Sequence, residues 1–205
     1  MKVAIITGAS VGIGSSTAQT FLNEGFTVFN LARRQCAIDG VTSLRCDLSS
    51  QTSIDTACDT LKKALTDCSE ATLIHNASQM KKDSVGDCSS DSLNQVMATN
   101  VIAVNSLNQH LLPLMPTSSS VLYIGSTLSE KAVPGSFSYV ISKHAQLGMM
   151  RATCQDLMGS GLHTAMICPG FTDTEMLRTH LGSDPDIEAG VAAMNSFNRL
   201  IEPEE

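Results

Sequence analysis

Thr7-Gly8-Ala9-Ser10-Val11-Gly12-Ile13-Gly14 follows directly on the apolar run Val3-Ala4-Ile5-Ile6. That run is too short for a helix and rich in β-branched residues, so it reads as a buried parallel strand. Beyond the glycines, Ile13, Ala18, Phe21 and Leu22 recur as on a helix packed against a sheet. Strand, glycine turn and helix is the geometry that sets a pyrophosphate on a helix N-terminus. In it Gly8 permits the tight turn, Gly12 lets the backbone approach phosphate oxygens, and Gly14 lets helix and strand pack closely. The spacing is G-x-x-x-G-x-G, not the G-x-G-x-x-G of most dinucleotide folds, so the rest of the chain has to decide its meaning.

Outward from this turn, strand-like runs occur at Val3–Ile6, Thr27–Leu31, Val41–Cys46, Ala71–His75, Ser120–Gly125 and Leu162–Cys168. Helix-like stretches lie near 13–24, 53–65, 91–112 and 137–158. Such alternation predicts right-handed βαβ units and a doubly wound α/β fold of Rossmann type, a parallel sheet with helices on both faces. No composition shift marks a second domain, so residues 1–205 are expected to form a single dinucleotide-binding and catalytic domain. Ligands in such a sheet sit beyond the carboxyl ends of the strands. The distinctive residues fall there: Gly8–Gly14 after the first strand, Arg33-Arg34 after the second, Asp47 after the third. Asn76, Ser126 and Pro169-Gly170 follow the remaining three.

The composition excludes some classes. A net charge of −7 argues against a nucleic-acid or anionic-membrane binder. No apolar run approaches the ~20 residues that span a bilayer, and the first strand begins by residue 3, where a leader would lie. A soluble cytoplasmic protein is expected. The seven cysteines (36, 46, 58, 68, 88, 154 and 168) form no C-x-x-C and read as small buried hydrophobes in a reducing compartment. No metal site is expected.

The chain has two tyrosines, Tyr123 and Tyr139. Tyr123 lies inside a strand run, and its replacement by Phe is expected to be nearly silent. Tyr139 and Lys143 are four apart in a predicted helix and share a face. A phenol titrates near ~10 and is a poor acid or base at neutral pH. A neighbouring ammonium stabilises the phenolate and lowers that value. Such a tyrosine can protonate a developing alkoxide or deprotonate an alcohol. Ser126 can donate a hydrogen bond to the same oxygen.

Taken together these residues resemble the short-chain dehydrogenase/reductase family, from residue 2 to about 203. Thr7–Gly14 matches the family's T-G-x-x-x-G-x-G. Asn76-Ala77-Ser78 matches its N-A-G after the fourth strand, with serine in place of glycine. Asp47-Leu48 matches the motif whose Asp contacts adenine, Asn100 its active-site Asn, and Ser126 its catalytic Ser. Tyr139 and Lys143 match its Y-x-x-x-K, thirteen and seventeen residues after Ser126. Pro169-Gly170 matches the P-G after the sixth strand, followed by Thr172 and Thr174.

The resemblance implies roles. Tyr139 is the general acid/base; Lys143 lowers its pKa and holds the nicotinamide ribose; Ser126 orients the carbonyl. Asn100 supports a water linking Lys143 to solvent. The cofactor-binding set is Gly8, Ser10, Val11, Gly12, Ile13, Gly14, Arg33, Arg34, Asp47, Leu48, Asn76, Ala77, Tyr139, Lys143, Pro169, Gly170, Thr172 and Thr174. Ser78 departs from the pattern and is expected to strain for backbone conformation and space. In the family a P-E-E stretch such as Pro203-Glu204-Glu205 usually opens a helix followed by a last strand, and that strand is not expected within residues 1–205.

Eighteen residues after Gly14 stands Ala32, where NAD-preferring members carry an acid, and Arg33 and Arg34 come next. No carboxylate repels a 2′-phosphate there, and guanidiniums can pair with it. NADP(H) is the expected cofactor. The expected function is NADPH-dependent reduction of a ketone or aldehyde to an alcohol. The alternative is a catalytically silent NADP(H)-binding regulator or sensor. The substrate lid is expected within Phe171–Asn195. Helices over Asn100–Leu112 and Phe137–Met158 carry more apolar residues than one sheet face needs, which points to a homodimer, or a tetramer.

Overall fold

Six strands form in the computed structural model, which describes residues 1–205: β1 (Lys2–Thr7), β2 (Thr27–Ala32), β3 (Val41–Arg45), β4 (Glu70–His75), β5 (Ser120–Ile124) and β6 (His163–Ile167). All pair in parallel, in the order β3-β2-β1-β4-β5-β6. The order reverses direction between β1 and β4, which opens a crevice at their carboxyl ends. Side chains of β1 alternate between faces. Val3 and Ile5 enter the core that α2 (Gln51–Thr66) and α4 (Ala103–Leu111) cover. Ala4 and Ile6 enter the smaller core under α1 (Gly12–Asn23). The two faces therefore carry separate apolar layers, as a parallel sheet requires.

In α2 the buried residues Ile54, Ala57, Cys58, Leu61 and Leu65 recur at helical spacing, and Ser50 caps its start through the Ser53 amide. Full burial of each large apolar side chain contributes about 1.5–3 kcal/mol. The helix α5 (Phe137–Asp156) is built differently. Its buried residues are Ser138, Tyr139, Ser142, Lys143 and Gln146. Four of these five carry no apolar side chain, so the first half of α5 serves a polar site, not the core. Its outward positions His144, Gly148, Arg151, Ala152 and Gln155 are exposed and mostly polar or small. Its apolar residues Ile141, Leu147, Met149 and Met150 are half-buried, and Met158, just beyond its end, is exposed.

The expected single helix over 91–112 is instead α3 (Ser90–Met97), a π-helical turn over Ala98–Ile102, and α4. Neither Gly nor Pro interrupts residues 90–111, so no local breaker announces the turn. The cause is tertiary: Asn100, wholly buried in the turn, bonds the backbone of Gln79 and the hydroxyl of Ser142.

Beyond β6, the chain forms α6 (Glu175–Leu181) and α7 (Pro185–Ala192), and Thr172 makes a bridge to Ile201. β6 is the sheet edge, alternating exposed and half-buried. No helix is long and apolar enough to cross a membrane. The expectation of buried cysteines holds for Cys46 and Cys58, whose thiol burial pushes up to about 12. Cys154 and Cys168 are exposed.

Tyr123 is wholly buried, and its hydroxyl accepts from Asn108 Nδ2 at 2.9 Å and meets Thr153 at 3.0 Å. Asn108 Oδ1 in turn accepts from His75 Nε2 at 2.8 Å. Burial keeps His75 neutral, with a pKa of about 4. Removing the hydroxyl orphans a buried amide, so Tyr123→Phe is not silent for stability. A loss of about 1–3 kcal/mol is expected in denaturant unfolding, with catalytic constants unchanged.

Candidate active site

Gly8 opens the turn after β1 with φ of 72°, in the left-handed region that favours glycine. Gly14 is needed for a different reason. A Cβ there would collide with Asn76 Nδ2 and the Gly8 carbonyl, so α1 rests on the turn only through a glycine. Two further groups hold this turn. The Thr7 hydroxyl accepts from the amides of Asn76 (3.0 Å) and Ala77 (2.9 Å), and Asn76 Nδ2 donates to the carbonyls of Thr7 and Gly8. Asn76 thereby ties the ends of β1 and β4 together.

Asn30 was not singled out from the sequence. It is wholly buried in β2, accepts from the Ala9 amide at 2.9 Å, and donates toward Ser10, the Arg34 carbonyl and Ser43. One amide thus organises the glycine turn and the arginine loop. The available signal was a polar residue inside the run Thr27–Leu31. A buried polar side chain persists only when its partners are supplied.

These loops and the start of α6 surround a cleft of about 1190 Å³. Every expected cofactor-binding residue lines it except Gly14, which packs beneath. Thr174 caps α6 through the Leu177 amide and sets its methyl near Gly12, while the Thr172 hydroxyl turns to the Gly170 carbonyl. Asp47 holds the Ser49 hydroxyl and amide, which with the charge of Arg33 keep its carboxyl below the usual range. Arg34 makes two bonds to Glu175, at 3.2 and 3.0 Å, joining the loop after β2 to α6 across the cleft. Both arginines are exposed, and Arg33 makes no such pair.

At the other end of the cleft lie Ser126, Tyr139 and Lys143. Ser126 caps a short 3-10 turn at Thr127–Ser129, its Oγ accepting from Leu128. Burial pushes the Tyr139 hydroxyl up to about 12, and the hydroxyls of Ser126 and Ser78 draw it back. Lys143 is 2 % exposed, and burial lowers its ammonium to about 7. Its Nζ lies 5.4 Å from the Tyr139 ring centroid and donates to the Ile124 carbonyl at 2.8 Å. Here the tyrosine's proton affinity is set by burial and by two serines; the lowering expected from Lys143 is not seen in this geometry.

Ser78, the departure from N-A-G, needs no left-handed backbone; the non-glycine residues with positive φ are Ser118 and Asn198. The expected strain is therefore absent. Its Oγ is buried close enough to the Tyr139 hydroxyl to influence it, but has full hydrogen-bond geometry to no partner. Asn100 does not line the cleft; it lies wholly buried behind it. Its carbonyl accepts from Gln146 Nε2 at 2.7 Å, and Gln146 Oε1 accepts from Lys143 at 2.9 Å. The side chain of Gln146 bridges Lys143 and the Asn100 carbonyl directly.

A dinucleotide fits these residues. A glycine turn with free backbone approach, an arginine outside any ion pair (Arg33) and an orphaned serine hydroxyl beside Tyr139 line one continuous cleft.

The fold and this cleft define a dinucleotide-dependent oxidoreductase of the doubly wound class. Residues 2–183 match the family model described as short chain dehydrogenase, and the chain belongs to that family, whose members act on carbonyl and alcohol groups. It is 30 % identical to the rhamnolipids biosynthesis 3-oxoacyl-[acyl-carrier-protein] reductase of Pseudomonas aeruginosa, covering 100 % of this chain and 85 % of that one. It is 28 % identical to an A-factor type gamma-butyrolactone 1'-reductase of Streptomyces virginiae, covering 100 % and 84 %. Among solved structures, the RhlG/NADP active-site complex of Pseudomonas aeruginosa superposes with a TM-score of 0.87 at 27 % identity, covering 99 % and 85 %. A short chain dehydrogenase family protein of Francisella tularensis gives 0.91 at 25 %, covering 100 % and 87 %.

Proposed function

We propose that this protein reduces a ketone or aldehyde to an alcohol, with NADPH as the cofactor. The observation that carries the reading is the Tyr139 hydroxyl beside the Ser126 hydroxyl in the cleft, with the buried Lys143 against the same ring. The names of the two reductases above and the NADP in the RhlG complex support it. When bound, the dinucleotide supplies a hydride to the carbonyl carbon. Ser126 donates to the carbonyl oxygen and fixes its place. Tyr139 gives its proton to that oxygen as negative charge develops, which completes the alcohol. Lys143 lies against the same ring and lines the cleft, where it would hold the nicotinamide ribose. Leu128, Phe171, Met176 and Leu177 line the cleft and offer an apolar wall to the substrate. The reading extends to a homodimer, supported by Ile102, a large apolar side chain 56 % exposed at the start of α4.

The test is a panel of 3-oxoacyl, aryl and aliphatic carbonyl compounds, with NADPH oxidation followed at steady state. Turnover of one class is expected. Tight NADPH binding with no turnover across the panel would establish a regulator instead.

A further inference from the structure

Gln146 follows Lys143 by three residues on α5 and is 1 % exposed. Its Oε1 accepts from Lys143 Nζ at 2.9 Å, and its Nε2 donates to the Asn100 carbonyl at 2.7 Å. The partners fix the orientation of the amide. Turned over, it would set its NH₂ against the ammonium and its oxygen against a carbonyl. Lys143 gives a second bond to the Ile124 carbonyl at 2.8 Å. An ammonium has three donors, so one remains for the cleft that Lys143 lines.

We propose that Gln146 is a positioning residue for Lys143: its amide supplies the acceptor that keeps the buried ammonium charged and aims the remaining N–H at the cleft. The proposal rests on the reading of Lys143 as the partner of Tyr139.

Burial acts against the charge on Lys143 and brings its pKa to about 7. The charged and titratable groups around it offer little compensation. Tyr139 faces it from α5, and Cys168, at the end of β6, raises its pKa only as the lesser influence. From β5 it meets a backbone carbonyl, and from the π-helical turn it meets Asn100 through Gln146. Neutral acceptors are therefore what holds the proton. An acceptor bonded to an ion favours the charged form by roughly 10–150-fold. A glutamine also differs from a water in being tethered. It ties α5 to the π-helical turn, so the placement of Nζ does not depend on exchange with solvent. Nor can an amide that donates at one end and accepts at the other pass a proton along as a water does.

The test uses Gln146→Leu, which removes the acceptor at similar length, and Gln146→Glu, which keeps it. Gln146→Met stands in where leucine does not fold. Lys143 is titrated by ¹³C NMR of its ε-carbon in lysine-labelled protein, its resonance assigned by its loss in Lys143→Met. In Gln146→Leu the titration is expected about one to two pH units below wild type, which is the same 10–150-fold. In Gln146→Glu it is expected above wild type. For carbonyl reduction at pH 7, where Lys143 is about half charged, kcat falls about 5–75-fold in the leucine variant, with KM for the carbonyl little changed, and recovers in large part in the glutamate variant. A purely packing role would lower thermal stability in both variants and leave the Lys143 titration unmoved; that result overturns the proposal. A wild-type protein that reduces no carbonyl would refute the proposed function, while the titration would still decide the role of Gln146.

Discussion

Tyr139→Phe is expected to lower kcat for carbonyl reduction by about 10²–10⁴-fold, the range a positioned general acid contributes. NADPH affinity should stay close to wild type, because the ring and its packing remain. The phenol is 9 % exposed, and no other tyrosine lies in the cleft. Ser126 cannot replace it, since a serine that gave up its proton would become an alkoxide as basic as the one it protonates, so the transfer gains nothing. Steady-state kinetics with parallel cofactor titration reads both quantities. A variant with wild-type kcat would remove Tyr139 from the chemistry.

The pH dependence has a sign. A phenol pushed up to about 12 is fully protonated at neutral pH, which suits donation to a nascent alcohol. The reverse reaction needs the phenolate, whose population rises tenfold per pH unit below that value. Reduction should therefore show no Tyr139 limb through neutrality, whereas alcohol oxidation should accelerate as pH rises.

The sheet was legible because each strand run lies next to a residue that belongs at its carboxyl end. Gly8, Asp47, Asn76, Ser126 and Pro169 mark five of those ends, and all five line the cleft together with Tyr139 and Lys143. What escaped the sequence is tertiary. The π-helical turn arises from bonds between Asn100 and residues 21 and 42 positions away, which no local breaker encodes. Gln146 looks like any polar helix residue until α5 is seen to bury its polar stripe. Asn30 reads as a strand interruption until the glycine turn closes over it. The pair of Arg34 with Glu175 spans 141 residues and redistributes the two arginines between different tasks.

That redistribution sharpens the expectation for cofactor choice. Ala32 leaves no carboxylate at the end of β2, and both arginines border the cleft. The Arg34 guanidinium already carries Glu175, whereas Arg33 makes no ion pair of that kind. A charge-assisted hydrogen bond to a 2′-phosphate contributes about 1.5–3 kcal/mol, or roughly 10–150-fold in affinity. Arg33→Ala is expected to weaken NADPH binding within that range and to leave NADH binding almost untouched. Arg34→Ala should cost NADPH less, because the lost guanidinium was already engaged. Ala32→Asp should exceed both, since it repels the 2′-phosphate and offers an acceptor to the free ribose hydroxyls of NADH. Fluorescence titration of both cofactors against the wild type and the three variants separates these effects. Equal affinity of the wild type for NADH and NADPH would refute the preference and return both arginines to the solvent-facing surface.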